Sequence, residues 1–129
     1  MGTEMRKQYH FRRSDRGLAS WDVHRLLDLT RDFPKVMVPL DEIKELDEEY
    51  WLGENDERPT CRWMAGHMSL VEKADLAYPI ILSSDGRIMD GMHRVLKAFV
   101  QGMETIEAVR FTVDPEPDFI GRKANELPY

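Results

Sequence analysis

Apolar residues along this chain recur at two spacings, and each change of spacing marks an element. In SWDVHRLLDLTRD (residues 20–32), Val23, Leu26, Leu27 and Thr30 share one helical face, with Ser20 as the candidate N-cap. KVMVPL (35–40) is a run of β-formers closed by Pro39, and predicts a strand. LDEIKELDEEYW (40–51) returns to helical spacing, with Asp41 as cap and Ile43 and Leu46 facing inward. After an acidic loop, GENDERP (53–59), TCRWMAGHMSLVEKADL (60–76) predicts a further helix. Thr60 is its cap, and Trp63, Met64, Met68, Val71 and Ala74 form its apolar stripe.

YPIIL (78–82) is a continuous apolar run, the pattern of a strand buried on both faces. The Asp85-Gly86 turn after it predicts a hairpin between residues 79–82 and 87–89. A helix from Gly91 to about Val100 follows and stops before Gly102, where a C-terminal glycine belongs. TIEAVRFTV (105–113) alternates as a last strand, and the proline-rich residues 114–129 are expected to drape over the surface. The order α-β-α-α-β-β-α-β predicts an α+β fold with a small mixed sheet flanked by helices. No repeat, low-complexity tract or linker interrupts residues 1–129, so a compact single domain is expected.

Charge sharpens this picture only locally. The net charge is −6, yet residues 1–31 carry seven Lys/Arg against four Asp/Glu, while residues 32–60 carry three against ten. The basic arm Arg6–Arg16 would be the contact in a nucleic-acid accessory protein, but the overall acidity argues against binding nucleic acid. A solvated, frayed terminus is the simpler expectation for it. No apolar run approaches the roughly 20 residues of a membrane span, the N-terminus lacks the apolar stretch of a signal segment, and Cys61 is the sole cysteine. These features point to the cytoplasm and away from a membrane.

The densest chemistry lies in GRIMDGMHRVLKA (86–98). A strand turns at Asp90-Gly91 into a helix whose first turn carries His93 and Arg94. Cations there oppose the helix dipole, a conflict that an anion at the helix start would remove. On this reading Gly91, Met92, His93, Arg94 and Lys97 bind phosphate, with Arg94 as a paired donor. Asp90 is the expected N-cap, and also the candidate Mg²⁺ ligand or proton acceptor.

YPIILSSDGRIMDGMHRVLKAFVQGMETIEAVRF resembles the ParB N-terminal/sulfiredoxin-like superfamily. The shared features are a Pro-Ile strand, a hairpin, a Gly-x-His-Arg turn, and a helix ending in glycine before the next strand. The resemblance covers about residues 36–113. It implies a nucleotide bound at Asp90–Arg94, with Gly91, His93 and Arg94 on its phosphates and Asp90 and His93 as catalytic groups. It also implies a nucleoside tri- or diphosphate, with Mg²⁺, as cofactor, and a small-molecule or protein acceptor. The expected activity is therefore a nucleotide-dependent phosphotransferase or NTP hydrolase. A non-catalytic nucleotide-sensing or protein-interaction module is the alternative.

Met92 stands where sulfiredoxin needs cysteine, and a thioether cannot perform that chemistry. The free-serine kinases of the superfamily carry histidine there. No helix-turn-helix or dimerisation region follows before Tyr129, so DNA segregation is not expected.

Other residues invite weaker readings. His67 lies beside the stripe of helix 60–76 and is a candidate nucleotide contact; Glu72, on the same helix, is a candidate base or metal residue and more simply a solvated carboxylate. His10 and His24 lack metal-ligand spacing, so zinc is not expected. Glu45, Asp47, Glu48 and Glu49 read as a solvated helix face, with a general base among them in the kinase-like case. Trp21, Trp51, Trp63 and Cys61 are expected in the core.

Overall fold

A computed structural model describes residues 7–52 and 58–129; part of the acidic loop 53–59 and the start of the basic arm lie outside the described residues. The fold is α+β, with two small sheets and three α-helices among those residues. Strands β1 (Tyr9–Ser14) and β2 (Gly17–Asp22) form an antiparallel hairpin. Helix α1 (Val23–Thr30) follows, then β3 (Val36–Pro39), α2 (Cys61–Lys73), β4 (Ile80–Leu82), β5 (Ile88–Asp90), α3 (Met92–Val100), β6 (Thr105–Arg110) and β7 (Phe119–Ile120).

The larger sheet has the order β3-β6-β4-β5. β4 runs parallel to β6, and the other pairs are antiparallel, so the sheet is mixed as expected. Its central strands alternate between two cores. Ile80, Leu82, Ile88 and Ile106 pack with Met92, Val95 and Ala98 of α3. Ile81, Met89 and Val109 pack against Trp21 and Leu26 on the opposite face. A strand buried on both faces can carry a continuous apolar run, as Ile80–Leu82 does, whereas Tyr78 before it is exposed.

Several expectations require correction. Ser20 does not cap a helix; it lies in the middle of β2, and Asp22 caps α1 by accepting from the His24 N–H at 3.0 Å. The arm before it is not frayed over its described part: residues 9–14 pair with residues 17–22 in full register. Residues 40–51 form two 3₁₀ turns, Leu40–Glu42 and Lys44–Asp47, rather than a helix, because Ile43 between them is extended. β6 ends at Arg110, short of Val113. The tail does more than drape, since β7 adds to β2 and Leu127 is buried.

Helix α2 departs most from expectation. Thr60 caps it, with its side chain accepting from the Trp63 N–H at 3.1 Å. Yet no residue of α2 is buried: Met64 and Met68 are exposed, and so is Cys61. Its stripe lies over α3 and Trp51 rather than inside a core.

Candidate functional site

The turn at the end of β5 is held by packing from below. Gly91 takes φ +109°, and a Cβ added there would meet Ile80 Cγ2 at 2.6 Å. Only glycine fits, for both reasons. Gly91, not Asp90, occupies the N-cap position of α3. The first bond of the helix ladder joins the Val95 N–H to the Gly91 carbonyl at 3.0 Å. The N–H groups of Met92, His93 and Arg94 therefore precede the ladder and form the positive end of the helix dipole.

Asp90, freed from capping, turns inward. Its Oδ2 accepts from Arg94 Nη2 at 2.8 Å, and the Gly91 N–H also donates to the carboxylate. Burial raises the Asp90 pKa despite the Arg94 charge. Arg94 is only 14% exposed, and its Nη1 donates to the Pro79 carbonyl at 2.8 Å. The guanidinium thus ties β5 and α3 to the start of β4, with one bond from each Nη. Lys97 is committed too. Its ammonium donates to the carbonyls of Glu72 and Ala74 at 2.8 and 2.7 Å, closing the C-terminus of α2. Each cation therefore already has two partners within the fold, and Arg94 also lines a cavity at the turn. The Met92 side chain is buried in the core, so only its backbone reaches the turn.

His93 and His67 come together as neither residue's local sequence foretells. Nδ1 of His67 lies 2.9 Å from Nε2 of His93, the rings stack at 20°, and Trp51 stacks on His93 at 4.7 Å. Trp51 and Trp63 lie 4.1 and 4.2 Å from the His67 ring. Burial, with a smaller effect from His67, lowers the His93 pKa to about 4. His93 is therefore neutral at pH 7, and one of the two facing nitrogens donates to the other. Trp51 and Trp63 are half-exposed walls of this cluster, whereas Trp21 is a core residue.

Two cavities meet at the turn, and Asp90, Gly91, Met92 and His93 line both. The larger, about 840 Å³, has Arg31, Lys35, Lys73 and Arg94 among its walls, with Tyr78 and Phe33 as aromatic surface. The smaller, about 260 Å³, is lined by His10, Tyr50 and Trp51. There burial drives the His10 pKa down to about 3 and the Tyr50 pKa up to about 12. His10 is 9% exposed, and its Nε2 has no hydrogen-bond partner among the described residues. These positions were missed in the sequence. Arg31, Lys35, Lys73, His10 and Tyr50 share no spacing, and only the sheet brings them near α3.

Glu45 does not belong to a solvated face. It is 3% exposed, and its Oε2 accepts from the Ile88 N–H at 2.7 Å and pairs with Arg87 Nε at 3.4 Å. Glu48 pairs with Arg87 at 2.5 Å. Both carboxylates anchor the hairpin rather than face the turn. The Glu72 carboxylate is exposed on α2.

A metal at Asp90 would share the carboxylate with Arg94, whose Nη2 holds Oδ2 at 2.8 Å. The carboxylate already serves the Gly91 N–H and Arg94, and no group of three His, Cys, Asp or Glu suited to a metal occurs among the described residues. No helix among them is long and apolar enough to cross a membrane. Comparison with protein-family models, with curated proteins and with solved structures gives no match.

Proposed function

We propose that this protein binds a nucleotide, with its phosphates at the start of α3 and its remainder in the larger cavity. One observation carries the reading. The unladdered N–H groups of Met92, His93 and Arg94 belong to the turn that lines a cavity of about 840 Å³, whose walls include Arg31, Lys35 and Lys73. That volume is within the usual range for small-molecule sites. A helix N-terminus supplies phosphate contacts without any side chain, and cations across the cavity add charge. Arg94 then shapes the turn through Asp90 and Pro79, and Lys73 takes the role of mobile counter-charge. The resemblance of residues 36–113 to the ParB/sulfiredoxin-like superfamily agrees with this placement.

Binding without turnover is the form we favour, because the Asp90 carboxylate is engaged by the Arg94 guanidinium. A specific feature keeps the phosphotransferase or hydrolase reading in play. Neutral His93, hydrogen-bonded to His67, can accept a proton at one nitrogen while passing another along the pair.

Calorimetric titration with ATP, GTP, CTP, UTP and inorganic triphosphate tests the site. At least one nucleotide binds, and Lys73→Ala weakens it about ten- to a hundredfold, the worth of a charge-assisted contact. No heat with any of the five sinks the proposal. Chromatography of the same mixtures with Mg²⁺ separates the two forms: intact nucleotide means binding alone, and released phosphate means turnover.

A further inference from the structure

A capped helix of thirteen residues with no buried side chain is unusual, because helices of this length owe their stability mainly to tertiary packing. The outer face of α2 explains it. Cys61, Ala65, Met68 and Glu72 follow one another at steps of four, three and four, the spacing of a helix–helix seam. Met68 is 67% exposed. Ala65, Met68 and Glu72 also form one wall of an open groove of about 940 Å³, with Leu96 and Val100 of α3 as the other. Val100 is 78% exposed. The groove is open and its lining is mainly apolar.

Charge identifies the occupant. Arg62 stands in the first turn of α2 and Glu72 in the last, each at the end where the helix's own dipole opposes it. Neither side chain forms an ion pair among the described residues. Beside an antiparallel copy of the same helix both conflicts vanish. Glu72 would then lie at the partner's positive N-terminus, and Arg62 at its negative C-terminus. The seam is self-complementary in that direction: Ala65 faces Met68, and Cys61 with Arg62 faces Glu72. A two-fold axis near the middle of the helix satisfies every layer, as an isologous dimer requires.

We propose that a second copy of this chain docks on the α2 face, its α2 antiparallel in the groove, with Arg62 of each copy paired to Glu72 of the other. Sedimentation of the full chain at tens of micromolar tests this. The wild type sediments as a dimer. Met68→Glu, at a site exposed in the monomer, raises the dissociation constant at least about tenfold and leaves the melting profile of the monomer intact. Arg62→Glu weakens the dimer, and Arg62→Glu combined with Glu72→Arg restores it.

The register has a separate readout. Residues 61 and 72 of one helix are about 16 Å apart along its axis, too far to bridge. Glu72→Cys should therefore oxidise to a covalent dimer joined through Cys61 of the other copy, whereas wild type, whose two Cys61 residues lie at opposite ends of the seam, should not. A monomeric wild type, a dimer indifferent to Met68→Glu, or failure of the charge swap to restore association each overturns the proposal.

Discussion

His67 and His93, twenty-six residues apart in the chain, meet at 2.9 Å between α2 and α3, with Trp51 stacked on His93. The contact ties the exposed helix α2 to the turn at Asp90. Burial in this half-exposed aromatic cluster disfavours a charge on His93 and lowers its pKa, with a smaller effect from His67.

Acid should therefore loosen the fold. The His93 pKa is about 4 in the folded chain against 6.5 for the free side chain, and His10 is at about 3. In both cases the unfolded chain binds protons first, so stability falls as pH drops from about 6.5 toward 4 and, for His10, on toward 3. Melting temperatures from pH 7 to 3.5 check this, with His10→Leu as the control. The variant should lose less stability than wild type over the same range, and equal slopes would show that His10 titrates normally. In NMR titration, the His93 ring signals should stay at their neutral positions down to about pH 5.

Gly91→Ala should destabilise by about 2–4 kcal/mol, combining an unfavourable positive φ with overpacking on Ile80. Gly66→Ala is the counterpart: a Cβ there meets nothing within 4 Å. That change should stabilise by about 0.5–1 kcal/mol, as alanine does in a helix interior. Denaturant unfolding of both variants checks the pair. A mild Gly91→Ala would mean that the turn relaxes easily.

Arg94→Ala leaves Asp90 buried without its cation and the Pro79 carbonyl without its donor. Breaking such a pair from one side costs about 3–5 kcal/mol, so the melting temperature should drop sharply. This reverses what the helix-dipole conflict alone suggests, since the guanidinium resolves that conflict within the fold. Unchanged melting with lost nucleotide affinity would return Arg94 to the ligand.

Glu45→Ala removes the acceptor for the buried Ile88 N–H and one partner of Arg87. The expected cost is about 2–3 kcal/mol, read from denaturant midpoints at pH 7. Glu48→Ala, on an exposed ion pair with the same arginine, should shift the midpoint far less. Similar costs for the two would contradict the buried role of Glu45.

Local chemistry alone determined the elements whose signals lie within a few residues of one another. Thr60 caps α2 through a bond three residues on, Asp85-Gly86 turns the β4–β5 hairpin, and Gly102 at φ +76° ends α3. The strand-turn-helix at Asp90 belongs with them, as does the buried run at 80–82. Tertiary structure decided whatever depends on a distant partner. Ser20 sits at helical spacing from its neighbours, yet β1 on one side and β7 on the other supply a ladder that outweighs it. Glu45 looks solvated until the Ile88 N–H, forty-three residues away, needs an acceptor. Nothing near Arg94 and Lys97 in the sequence announces that the carbonyls of Pro79, Glu72 and Ala74 lie beside them. A charged side chain records only that it needs a counterpart; whether a carbonyl, a carboxylate or a ligand provides it is settled by which strands and helices pack alongside.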